Sequence, residues 1–119
     1  MKYTKIIAGE DGLSHFVDQE LDAPGDKPSA LLTIRSQDDW VLSQGAPGYL
    51  SDYHTTRAPR LLIVLQGCLE IGVTADDVRQ FHPGDMIHAC DTTGRGHTSA
   101  RVGTDVCRVL SAVWDPSVD

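Results

Sequence analysis

The sequence predicts an all-β fold, either a sandwich or a closed barrel of short strands. Three observations point there. Apolar stretches are short and interrupted at regular spacing by Gly, Pro and Asp. One stretch, "LEIGVT", alternates with a period of two, so Leu69, Ile71 and Val73 share a face. No segment carries a helical apolar stripe with caps. Many short strands at even spacing are what sandwiches and barrels require.

Expected strands, in order, are 29–36, 39–44, 47–55, 60–66, 68–74, 78–82, 85–89, 97–102 and 105–114. "LLIVL" (61–65) is a compact apolar run, as in a strand buried on both faces. "TADD" (74–77) suits a hairpin turn into "VRQF". "HPGD" (82–85) reads as a tight turn, because Pro83 fixes φ and Gly84 is free to take φ > 0.

Length and charge narrow the function classes. With 119 residues the chain suits one domain with a modest core. Ten basic against 17 acidic residues give a net charge of −7. A nucleic-acid binder needs basic surface to displace counterions from phosphates, so no nucleic-acid partner is expected; anionic membranes are disfavoured on the same ground. No apolar run approaches a membrane span, and the N-terminus lacks the apolar core of a signal peptide. Cys68, Cys90 and Cys107 are odd in number, widely spaced and free of any C-x-x-C motif. They read as reduced, buried apolar thiols of a cytoplasmic protein.

The stretch "GYLSDYHTTRAPRLLIVLQG" (48–67) holds the most informative spacing. Gly48 is followed by five residues and His54; Thr56 stands two further on; three residues separate it from Arg60, and six more lead to Gly67. A second stretch, "PGDMIHACDTTGRGH", places Gly94 three residues before His97. Together these resemble the two motifs of the cupin superfamily. Its first motif runs Gly, five residues, His-x-His, three or four residues, Glu, six residues, Gly. Every gap fits, but Thr56 and Arg60 replace the second His and the Glu. In the second motif Cys90 stands where a Pro is usual, and the loop from Gly84 to His97 is two residues longer than the plain pattern.

The resemblance implies a cupin-like double-stranded β-helix, a jelly-roll barrel. One domain would span 1–119, with its motif core at about 45–115 and residues 1–44 adding edge strands. It also implies a homodimer, in which the apolar face of Leu61, Ile63 and Leu65 packs on a second sheet or on the partner. Parity places His54, Thr56, Arg60, Leu62 and Val64 on one face of the motif, and His97, Ser99 and Arg101 would face inward from a neighbouring strand.

A typical cupin offers three His and one carboxylate to Fe, Mn, Ni or Zn. Here only His54 and His97 match. Arg60 adds a fixed positive charge where a divalent cation would sit, so no tightly bound cofactor is expected. His88 is the one candidate for a third ligand. Arg60 has two readings. It either pairs with an acid such as Glu70 or Asp52, or binds a ligand carboxylate bidentately. Arg57, Arg95 and Arg101 lie close in sequence to the motif histidines and point to an anionic or oxygen-rich small organic molecule. With Thr56, Tyr53 and Trp40, Arg57 and Arg101 form the expected ligand-binding set. His54 and His97 are the candidate acid and base, with Arg60 stabilising an oxyanion. That chemistry describes a metal-independent isomerase, lyase or cyclase. The alternatives are a metal-dependent, dioxygenase-like enzyme using His54, His97 and a third ligand, and a non-catalytic sensor.

Overall fold

The computed structural model describes residues 1–116. Among these residues are ten strands and no helix. They are β1 (Lys2–Ala8), β2 (Ser14–Glu20), β3 (Trp40–Gly45), β4 (Leu50–His54), β5 (Arg60–Gln66), β6 (Cys68–Thr74), β7 (Asp77–Phe81), β8 (Met86–Ala89), β9 (His97–Val102) and β10 (Cys107–Val113). The strands expected from residue 39 onward all form, within a few residues at each end. The "HPGD" turn forms as read: Gly84 takes φ 94° and the Asp85 N–H donates to the His82 carbonyl at 2.9 Å.

One expectation about the N-terminal third is corrected. Residues 29–36 form no strand. Leu32 and Ile34 do alternate inward, onto a groove shared with Leu61 and Ile63. They lie over a face of the six-stranded sheet and not along one of its edges. Residues 2–20, by contrast, form the β1–β2 hairpin, and β1 pairs in parallel with β8.

Six strands form one sheet, in the order β2-β1-β8-β5-β10-β3, and four form the other, β4-β9-β6-β7. The expected closed jelly-roll barrel is therefore corrected to two open sheets. The ladders stop at β2 and β3 on one sheet and at β4 and β7 on the other. Side chains take over where a closing ladder would run. On one side Arg79 of β7 pairs with Asp18 of β2 at 2.8 Å and lies over the Phe16 ring. On the other, the Arg101 guanidinium of β9 lies under Gly45 of β3, in space that any Cβ there would occupy. That side stays open, and Trp40, Val41, Leu42, Tyr49 and Leu50 are all exposed along it.

Between the sheets sits the core: Ile6, Val64, Leu69, Ile71, Val73, Phe81, Ile87, Ala89 and Cys107. Burial of each larger side chain contributes about 1.5–3 kcal/mol. Burial also pushes the Cys90 thiol up to about 11 and raises those of Cys68 and Cys107. All three remain protonated at neutral pH, which suits packing and disfavours nucleophilic or metal-ligating roles.

His88 is buried outside this core. It lies on the face of the six-stranded sheet opposite the core, stacked on Trp114 with centroids 4.2 Å apart. Its Nε2 bonds to the Trp114 carbonyl at 2.7 Å. Desolvation lowers its pKa below 6.5; the Lys5 charge acts in the same direction, and the Trp114 carbonyl and Asp115 oppose it. An unfolded His88 therefore binds its proton more readily than a folded one. Its contribution to stability is complete above about pH 6.5 and is lost as the pH falls through and below that value. Urea midpoints measured from pH 7.5 down to 5 should fall, and His88→Gln should flatten the dependence. An equally steep decline in the variant would assign the effect to other groups.

Candidate functional site

The first motif forms β4, a turn and the start of β5, and it works by bringing β4 against β9. Gly96, at φ 83°, makes this possible. A Cβ there would collide with the His54 carbonyl. His54 and His97 thereby become direct cross-strand partners, their rings 4.7 Å apart and tilted by 57°. Between the sheets they open onto a cavity of about 350 Å³, lined also by Thr55, Thr56, Arg57, Arg60, Leu62 and Ala89. The parity argument holds for the lining: His54, Thr56, Arg60 and Leu62 face the cavity, while Leu61 and Ile63 face the outer groove.

Each imidazole is oriented by an acceptor. His54 Nδ1 lies 2.7 Å from the Asp52 carbonyl, which can only accept. His97 Nδ1 lies 2.7 Å from Oδ2 of Asp91, and that carboxylate is fully buried. In their neutral forms both rings therefore carry the proton on Nδ1 and a lone pair on Nε2. The same Asp91 oxygen accepts from the Ser14 hydroxyl at 2.7 Å. Asp91 and Ser14 were not legible as site residues, since Ser14 is 77 positions from Asp91 in sequence. The only local signal was a polar residue in the Gly-flanked loop before His97.

Arg60 does not pair with Glu70 or Asp52. Glu70 accepts from Gln80, and Asp52 from the Tyr53 backbone N–H. The guanidinium is instead held by Ser111, with Nε donating to Oγ at 2.6 Å and Nη2 to the carbonyl oxygen at 3.4 Å. Two of its five N–H donors are used this way, on a hydroxyl and a carbonyl. Thr56 lines the cavity but directs its hydroxyl to the Ala58 carbonyl at 2.7 Å.

Other residues expected in the ligand-binding set lie elsewhere. Tyr53 carries the Arg95 guanidinium over its ring at 4.1 Å, and Arg101 lies over Tyr49 at 4.6 Å. Trp40 borders the outer apolar groove and is 65 % exposed. Of the four arginines, Arg57 and Arg60 reach the cavity. His88, on the opposite face of its sheet, cannot join His54 and His97 as a third ligand.

Solved structures with this architecture identify the fold. The chain matches a Cupin 2 conserved barrel domain protein from Salinispora arenicola at 19 % identity and a TM-score of 0.53, over 81 % of this chain and 75 % of that one. A conserved double-stranded β-helix protein from Klebsiella pneumoniae matches at 17 % and 0.54, over 80 % and 77 %. An RmlC-like cupin family protein from Methanocaldococcus jannaschii matches at 9 % and 0.54, over 82 % and 94 %. The chain shares the double-stranded β-helix fold of these structures. No protein-family model matches the sequence, and no curated protein does.

The fold brings with it the question of a metal. His54 and His97 are oriented as metal-bound imidazoles usually are, with Nδ1–H donated to a second acceptor. The rest of the donor set does not fit. Among the described residues no three His, Cys, Asp or Glu side chains converge on a common point. The Arg60 guanidinium opposes a dication by about a few kcal/mol at an effective dielectric near 20. Because Arg60 rests on a serine and not an acid, Thr56→His with Arg60→Glu sets no two carboxylates against each other. That double variant should fold and bind Zn²⁺ or Ni²⁺ at least about a hundredfold more tightly than wild type. Metal titration with a thermal melt checks this; a variant that folds without gaining affinity refutes the geometry.

Proposed function

We propose that this chain binds a small anionic, oxygen-rich organic molecule in the His54/His97 cavity and catalyses a metal-independent proton transfer on it, as in an isomerase, lyase or cyclase. One observation carries the reading: two guanidiniums and two acceptor-oriented imidazoles line a single cavity. Arg57 and Arg60 supply the positive field for a carboxylate or a developing oxyanion. His97 is the base. Asp91 fixes its tautomer and ring plane, so that Nε2 accepts a proton from bound substrate and an imidazolium forms against a buried carboxylate. The His97 imidazolium returns the proton to the substrate, and His54, exposed at the mouth, can relay a proton towards solvent by accepting it at Nε2. Leu62 and Ala89 supply apolar contact for a carbon skeleton.

A screen for solvent deuterium incorporation into small oxo and hydroxy acids tests the catalytic part. Catalysed exchange should occur with wild type and disappear in His97→Phe. Binding without exchange would favour a sensor or binding module. Arg60→Lys should weaken ligand binding about tenfold despite keeping the charge, because an ammonium cannot hold both the Ser111 contact and a planar two-point contact to a carboxylate. Calorimetry reads this directly, and an unchanged Kd would exclude Arg60 from the ligand contact.

A further inference from the structure

Apart from the Thr55 hydroxyl, which can donate or accept, the polar groups of the cavity each offer one kind of hydrogen bond. Both imidazoles have committed their Nδ1 protons, His54 to the Asp52 carbonyl and His97 to the Asp91 carboxylate. Neither ring can donate into the cavity in its neutral form; each can only accept at Nε2. Arg57 and Arg60, which line the same cavity, can only donate, since a guanidinium has no acceptor. The Thr56 hydroxyl proton is committed to the Ala58 carbonyl.

A plain carboxylate satisfies the arginines and leaves the Nε2 lone pair of the buried His97 without a donor, while the exposed His54 can be met by water. Sites built around a substrate hydroxyl reject analogues that lack it, because buried polar groups then lose their partners. A ligand ammonium would satisfy the imidazoles, but two guanidiniums share the cavity and repel a cation. The donor the site lacks is therefore neutral. The volume of about 350 Å³ lies at the small end of ligand sites.

Building on the anion-binding reading above, we infer that the ligand class is a compact hydroxycarboxylic acid. Its carboxylate lies on Arg57 and Arg60, its hydroxyl donates to Nε2 of His54 or His97, and its carbon skeleton rests on Leu62 and Ala89.

Lactate and propionate carry the same charge and differ by one hydroxyl. Titrations of each up to about 50 mM, followed by NMR of the histidine rings and the arginine side chains, should give lactate at least about a tenfold lower Kd. His54→Phe keeps a ring at the exposed mouth and removes one acceptor, so it should shrink that ratio. Equal Kd values for both acids in wild type would overturn the hydroxy-acid class and leave the anion pocket standing. If neither acid shifts any cavity resonance, the anion pocket itself falls, and this inference with it. A preference that survives undiminished in both His54→Phe and His97→Phe would place the hydroxyl away from the imidazoles and overturn the assignment.

Discussion

A buried carboxylate holds this site together. Asp91 is fully buried, and its Oδ2 receives both the Ser14 hydroxyl and His97 Nδ1. Its backbone carbonyl accepts from the Thr56 N–H at 3.3 Å, in the turn that carries the cavity wall. One residue thus ties the N-terminal hairpin, the β4–β5 turn and β9 together. Its Oδ1 is buried without a protein donor, so the carboxylate depends on the two bonds at Oδ2. Truncating one partner of such a pair leaves a poorly compensated buried charge, which is strongly destabilising. Neighbouring backbone bonds reinforce the tie. Cys90 N–H donates to the Ile6 carbonyl and Arg95 N–H to that of Gly12, both across to the same hairpin.

This tie explains why the open edges do not loosen the site. The two sheets share no closing ladder, and the edge formed by β3 and β4 exposes a run of apolar side chains. The cavity lies deeper, where β4 meets β9 and β5 meets β8 and β10. There Gly96 allows the close approach of two backbones, and Ser111, on the strand beside β5, fixes the angle of Arg60. Strand pairing sets the distances, and polar contacts set the side-chain directions that the chemistry depends on.

Much of this was legible in the sequence, for a definite reason. The spacing from Gly48 to Gly67 encodes a strand, a turn and a strand, and alternation within strands then decides which side chains share a face. His54, Thr56, Arg60 and Leu62 accordingly meet in the cavity. Closure was not legible, because whether edge strands pair depends on contacts between distant segments, here Arg79 with Asp18 and Arg101 under Gly45. Residues 29–36 show the limits of alternation: Leu32 and Ile34 half-bury as a strand's would, but over a sheet face and not along an edge. The partners of the charged residues were equally hidden. Arg60 rests on a hydroxyl 51 positions away, and the acid that orients His97 sits in a loop whose sequence reads as a turn.

The account stands on the tautomer of His97. Long-range ¹⁵N–¹H NMR of wild type and of Asp91→Asn, recorded where the ring is neutral, measures it directly. In wild type the proton should reside on Nδ1, with Nε2 showing the shift of a bare acceptor. Asp91→Asn, whose side-chain amide can turn its N–H to the ring, should populate the other tautomer. A wild-type His97 carrying its proton on Nε2 would contradict the account, because the cavity would then present a donor where both the proton transfer and the ligand contact require an acceptor.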